Sequence, residues 1–201
     1  MQILHPFVGS IPEYAEHISD PDHARPQQCP QCQARQPLCA HGLYRRTLVD
    51  VDFEGSIRVR RFLCRLCRRT VSLLPQFALP YLRFSVVVIS QFLFACLLQG
   101  RTLKAAAVAA AQASMPYQRG QFWIRRFRAQ ATRLCIALAA LAVATPAADF
   151  VTRALQMLEA IGSIAAHRFL FGDLRVHLLG WPSFLAPAGR RVSFQPGAAP
   201  A

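Results

Sequence analysis

The chain has 201 residues, 53% of them hydrophobic, enough for one ordinary core or two small ones and too little for a large multidomain enzyme. Its net charge of +13 is unevenly placed: residues 1–54 carry four Arg against seven carboxylates (−3), residues 149–201 five against three (+2), and residues 55–148 fourteen basic residues and no Asp or Glu (+14). A block of that kind attracts polyanions, and although the 22 Arg to one Lys fit a genome rich in Arg codons, such a bias does not remove every acid from a segment this long.

Residues 1–26 read as an N-terminal extension. "MQILHPFVGSIPEYAEH" has neither the basic start nor the continuous apolar run of a secretory signal, so the cysteines are expected to be reduced and the protein cytoplasmic, associated with the nucleoid.

Residues 27–74 hold two Cys-x-x-Cys pairs, "CPQC" and "CRLC". A zinc ion prefers four soft ligands in a tetrahedron, and each Cys-x-x-Cys turn sets two thiolates on one side. Cys29, Cys32, Cys64 and Cys67 are therefore expected to bind Zn²⁺. Between them, "LYRRTLVDV" (43–51) and "SIRVRRFLC" (56–64) read as the strands of a hairpin, with "DFEGS" turning around Gly55. Cys39 and His41 lie between the pairs and also have ligand chemistry; a place for one of them in the shell stays open, although His41 with Gly42 is more simply a loop-shaping pair. Cys96 and Cys135 read as core thiols. A closed four-Cys shell has no open coordination position for substrate, so the ion is expected to be structural.

Residues 75–84 contain Pro75 and Pro80 and read as an extended linker. The domain at 85–133 is expected to be helical and helix-turn-helix-like: a buried helix over 85–98 stopped by Gly100, a second over 103–113 capped by Thr102, and a third over 117–133 after Pro116. On the third, Trp123, Ile124, Phe127 and Ala131 share one side, while Gln118, Gln121, Arg125 and Arg128 run along another. Gln and Arg suit base edges, and Arg119, Arg126 and Arg133 on the flanks suit phosphates, as do Arg58, Arg60, Arg61, Arg65, Arg68 and Arg69 of the ribbon.

Residues 134–180 read as C-terminal helices, one over 150–171 started by Asp149, that complete the core or pair two protomers. Residues 181–201 read as a flexible tail. No apolar stretch offers the roughly 20 residues needed to span a membrane. The fold class expected is α+β, mostly α: a small β-hairpin zinc ribbon followed by a helical bundle.

The string "CPQC … HGLYRR … IRVRRFLCRLCRRTVSLLP", followed by "GRTLKAAA … QFWIRRFRA", resembles the zinc-ribbon plus helix-turn-helix proteins of bacterial insertion sequences, both their small DNA-binding subunits and uncharacterised transposase-like relatives. The likeness covers about residues 27–130, and its most specific part is Arg-Phe-Leu-Cys-x-x-Cys-x-Arg-Thr at 61–70; "AQASMPY" lacks the Gly common at the turn. The resemblance implies specific binding of double-stranded DNA at element ends or a promoter, alongside a transposase or a second copy of the chain, with the same four cysteines as zinc ligands. No catalytic residue is assigned, because strand transfer needs three carboxylates around two metal ions, and Asp149, Glu159 and Asp173 lie too close in sequence for a nuclease sheet. Small-molecule substrates are not expected. A zinc-ribbon adaptor that docks another protein is the second reading, and a membrane-associated protein the third.

Overall fold

The structure, a computed structural model, describes residues 1–5, 7, 9–18, 24–143 and 146–181. It is α+β. A four-stranded sheet of order β1-β4-β3-β2 is followed in the chain by the main group of helices. The strands β2 (Leu38–Val49), β3 (Glu54–Cys64) and β4 (Thr70–Pro75) form an antiparallel meander, and β1 (Gln2–His5) adds to β4 in parallel.

The hairpin differs from the expectation at its tip. The turn falls at residues 50–53, where the Asp50 N–H donates to the Phe53 carbonyl (2.7 Å), and Gly55 sits in the ladder opposite Leu48. A Cβ on Gly55 would lie 2.8 Å from Phe53 Cζ, so this glycine makes room for a ring packed over the strand rather than bending the chain. His41 and Gly42 form an irregularity inside β2, where the register shifts between Ala40 and Leu43 and Gly42 takes φ +89°.

Residues 1–26 are not peripheral. Besides β1 they supply α1 (Ile11–His17), opened by a capping box between Ser10 and Glu13. Its Tyr14 is fully buried against Phe7 and Phe77 and donates its hydroxyl to the Arg58 carbonyl (3.0 Å).

Nor is the stretch at 75–84 a free linker. Its prolines exclude a helix but not burial: Phe77 and Ala78 fill the cluster under the sheet with Tyr14, while Leu79 and Phe84 enter the helical core with Val49. Ribbon and helices are further joined where the Ser85 hydroxyl donates to Asp50 Oδ1 (2.6 Å) while capping α2 (Val86–Leu93). Arg46 adds hydrogen bonds from its half-buried guanidinium to the carbonyls of Leu79 and Leu82.

α2 runs into a π-helical turn at Phe94–Leu98, and α3 (Leu103–Ala109) is capped by Thr102 as its sequence requires. The connection to α4 (Tyr117–Leu138) takes residues 110–116, longer than the three or four of a compact helix-turn-helix. Ala111 supplies the left-handed step (φ +56°) for which glycine is the usual choice. α4 crosses α2 at Gly120, where an added Cβ would meet Phe92 Cζ at 2.6 Å. Gly120→Ala is therefore expected to destabilise the fold by about 1–3 kcal/mol, as overpacking of a filled core does, measured as a shift in urea midpoint without a change in m-value. Trp123 lies beside this crossing, edge-on to Phe84 (4.9 Å) and Phe92 (5.3 Å).

The C-terminal helices pack within the chain. Asp149 caps α5 (Phe150–Ile161), whose Ala154, Leu155, Met157 and Leu158 are buried in the helical core. The expected single helix over 150–171 is broken at Gly162 (φ +88°), after which α6 (Ser163–His167) and a π-helical turn at Arg168–Asp173 lead to residues 174–181. That last segment returns to the ribbon, where Arg175 Nη1 donates to the Gln2 carbonyl (2.9 Å). The tail expected over 181–201 lies, beyond residue 181, outside the described residues. No helix among the described residues is long and apolar enough to cross a membrane.

Candidate metal centre and nucleic-acid interface

The meander brings the two Cys-x-x-Cys turns together at one end of the sheet. The Sγ atoms of Cys29, Cys32, Cys64 and Cys67 all lie within 4.8 Å of one another, with Cys29–Cys67 and Cys32–Cys64 each at 3.7 Å. A disulfide would need about 2.05 Å, whereas a tetrahedron of thiolates about 2.3 Å from a central ion has edges of about 3.8 Å. The four cysteines thus fit a structural metal site.

The two turns are built alike. Gln33 N–H donates to the Cys29 carbonyl (2.8 Å) and Arg68 N–H to that of Cys64 (3.0 Å), each four residues after the first cysteine of its pair. Both residues adopt the left-handed region, Gln33 at φ +60° and Arg68 at φ +57°, which reverses the chain within one turn. Each first cysteine then donates its own N–H five residues on, to Ala34 (3.0 Å) and Arg69 (2.9 Å).

Backbone amides polarise the sulfurs. Burial disfavours the Cys64 thiolate, but the N–H groups of Cys67 and Leu66 favour it and lower its pKa to about 7. The Arg69 amide favours the Cys67 thiolate as well, yet burial and the sulfurs of Cys64, Cys29 and Cys32 push that thiol up to about 12. Four sulfurs this close do not ionise together unless a cation sits among them.

Cys39 and His41 are not part of the cluster. Cys39 stands opposite Leu63 in the ladder and donates its thiol to that residue's carbonyl (3.4 Å), and His41 is exposed in the β2 irregularity. Cys135 is buried, with its Sγ 3.3 Å from the Phe150 carbonyl oxygen, and Cys96 is half-buried.

The residues read as nucleic-acid contacts divide into two groups. Arg58, Arg65, Arg68 and Arg69 are exposed on the ribbon, with Arg61 half-buried beside the Tyr44 ring. On α4, Gln118, Arg119, Gln121, Arg125 and Arg128 are exposed along the face opposite the buried Trp123, Phe127 and Ala131. Arg45, which the sequence reading passed over, is exposed directly across the ladder from Arg58.

Two assignments need correction. Arg60 is 6% exposed, and its guanidinium donates to the Ile18 carbonyl (2.7 Å), closing the end of α1 onto the sheet. Arg126 turns from the exposed stripe to donate to the carbonyls of Leu179, Gly180 and Trp181, each at 2.8 Å. Strand alternation and helical periodicity give the face of a side chain, but a long guanidinium follows the carbonyls within its reach. Arg126→Ala is accordingly expected to cost about 2 kcal/mol of stability, and Arg125→Ala within about 0.5 kcal/mol of nothing, by chemical denaturation.

Among the acids, Asp149 is committed to the start of α5, its carboxylate accepting from Val151 N–H (2.8 Å), Thr152 N–H (3.0 Å) and the Thr152 hydroxyl (2.7 Å).

No curated protein and no solved structure matches the chain. Residues 29–115 match a family model described as a domain of unknown function, DUF6431, a stretch that runs from the first clustered cysteine through α3 and ends before α4.

Proposed function

We propose that the protein is a zinc-stabilised DNA-binding protein of mobile-element, transposase-associated type, without a catalytic centre of its own. The observation that carries this reading is the exposed Gln118, Gln121, Arg125 and Arg128 stripe of α4, set on a core-anchored helix within a segment, 55–148, that contains no carboxylate. A preorganised helix presenting Gln and Arg offers bidentate partners for adenine and guanine in a major groove. The exposed arginines of the second Cys-x-x-Cys turn supply phosphate contacts, held in shape by a zinc ion that does no chemistry. The resemblance to insertion-sequence proteins supports a transposase or a second copy of the chain as companion on the DNA.

Selection from a random duplex library with zinc-loaded protein tests this directly. A defined motif is expected, and its binding should weaken by about 0.9 log units per log unit of salt for each phosphate neutralised. Arg125→Ala or Gln121→Ala is expected to cost about 1–3 kcal/mol on the selected site and relax preference at one position, whereas Arg68→Ala should weaken all sequences alike and lower the salt slope by about 0.9. Salt-insensitive binding would overturn the reading.

One observation favours the adaptor reading instead: Leu66, at the tip of the second Cys-x-x-Cys turn, is 71% exposed. Retention of a stable protein partner after nuclease treatment, lost in Leu66→Ser, would support it.

A further inference from the structure

Residues 79–82 make a tight turn in which the Leu82 N–H donates to the Leu79 carbonyl (3.3 Å). Pro80 takes its second position and Tyr81 its third, at φ +63°. A type II turn asks for Gly or Asn at that third position, because an L side chain there crowds its own backbone. Tyr81 is the one aromatic residue at positive φ among the described residues.

The turn is held from outside. Arg46 donates to the carbonyls of Leu79 and Leu82. His177 accepts the Leu179 N–H at Nδ1 (3.1 Å), which places its proton on Nε2, 3.1 Å from the Pro80 carbonyl oxygen. The Trp181 ring meets Tyr81 edge-on at 6.1 Å. A bulky side chain fixed against its backbone preference by this many partners points to a use for the side chain itself.

Tyr81 is 47% exposed and, with Tyr44, Thr47 and Arg83, lines a cleft of about 320 Å³. The exposed Arg83 lies over Phe84 (4.8 Å), and Arg61 lies over the Tyr44 ring (5.9 Å). No carboxylate is among the described residues lining the cleft. Phenol rings interleaved with guanidinium groups are the chemistry that receives a nucleobase and its phosphate, and a paired base inside a duplex hides the face that such rings need.

We propose that this cleft holds an unpaired nucleotide of the bound DNA, with the base stacked on Tyr81 and the phosphate on Arg83. The inference rests on the DNA-binding reading and adds to it that the protein distinguishes a frayed or overhanging end from a closed duplex.

The test is fluorescence anisotropy of the full-length, metal-loaded protein with two probes, a blunt duplex and the same duplex carrying a short single-stranded 3′ overhang. The overhang is expected to bind roughly 5- to 150-fold tighter, the worth of one stacked base. Tyr81→Gly should abolish this preference while leaving blunt-duplex affinity unchanged and Tm level or raised, and Tyr81→Phe should keep the preference. A tyrosine that only held the turn would instead lower Tm and leave the preference intact, which would overturn the proposal. Equal binding of both probes by the wild-type protein would overturn it too, with the DNA-binding reading untouched. Failure to bind either probe at low salt would overturn that reading and the inference with it. Displacement of the overhang by micromolar deoxyadenosine monophosphate would assign the cleft to a free nucleotide and overturn the polymer as its source.

Discussion

A strong chelator is expected to unfold the cysteine end of the sheet while the helical core stays folded, so that the chelated protein melts with the smaller enthalpy of the part still folded. Metal binding to four thiolates contributes on the order of 10 kcal/mol at neutral pH, comparable to the whole stability of an ordinary domain. The cluster around the site is small, built on Leu38, Phe62, Val71 and Leu73 beside Cys29 and Cys64, and has little else to order it. The helical core around Trp123 is separate and includes only Val49 of the strands. Far-UV circular dichroism should therefore keep its helical signal after chelation while the sheet signal falls. Native mass spectrometry should find one ion per chain in the untreated protein and in Cys39→Ser and His41→Ala, and none in Cys64→Ser. An ion lost with Cys39 or His41 would contradict the geometry described here.

Spacing made the metal site legible, because Cys-x-x-Cys needs only local turns and a hairpin to converge. Helix starts at Ser85, Thr102 and Asp149 were equally readable, since each cap bonds an amide two or three residues ahead and depends on nothing distant. α4 showed its two faces through helical period. What stayed hidden was decided by long-range contact. β1 is four residues and α1 seven, too short for a period to declare itself, although Ser10 and Glu13 spelled out the capping box that opens α1. Arg60 shares a strand with exposed Arg58 yet turns inward, its guanidinium donating to the Ile18 carbonyl 42 positions away. The proline-bearing stretch at 75–84 misled for a related reason: proline forbids a helix, and the apolar residues around it still demanded a core.

Lowering the pH from 7 to 5 is expected to cost about 4 kcal/mol through two histidines alone. His167 is 2% exposed and stacked on Phe171 (5.7 Å); burial, with neighbouring His177 adding to it, drives its pKa down to about 3. His177 is 3% exposed, and burial outweighs its hydrogen bond to the Pro80 carbonyl, with Arg126 and Arg46 repelling a further positive charge, so its pKa falls to about 4. Both values lie below the 6.5 of an exposed histidine. The unfolded chain therefore takes up protons that the folded chain refuses, and the stabilisation, complete above about pH 6.5, is lost as pH falls toward 4 for His177 and toward 3 for His167. Thiolate protonation at the metal centre acts in the same direction, so the wild-type curve alone does not separate the two. His167→Phe keeps the stacked ring, and His177→Asn keeps a donor for Pro80; neither residue titrates. The double variant should start less stable at pH 7 but lose about 4 kcal/mol less than the wild type between pH 7 and pH 5, read as the difference in urea midpoints with metal in excess. Parallel curves would mean that the two histidines titrate in the fold as they do in the unfolded chain, and so are reached by water.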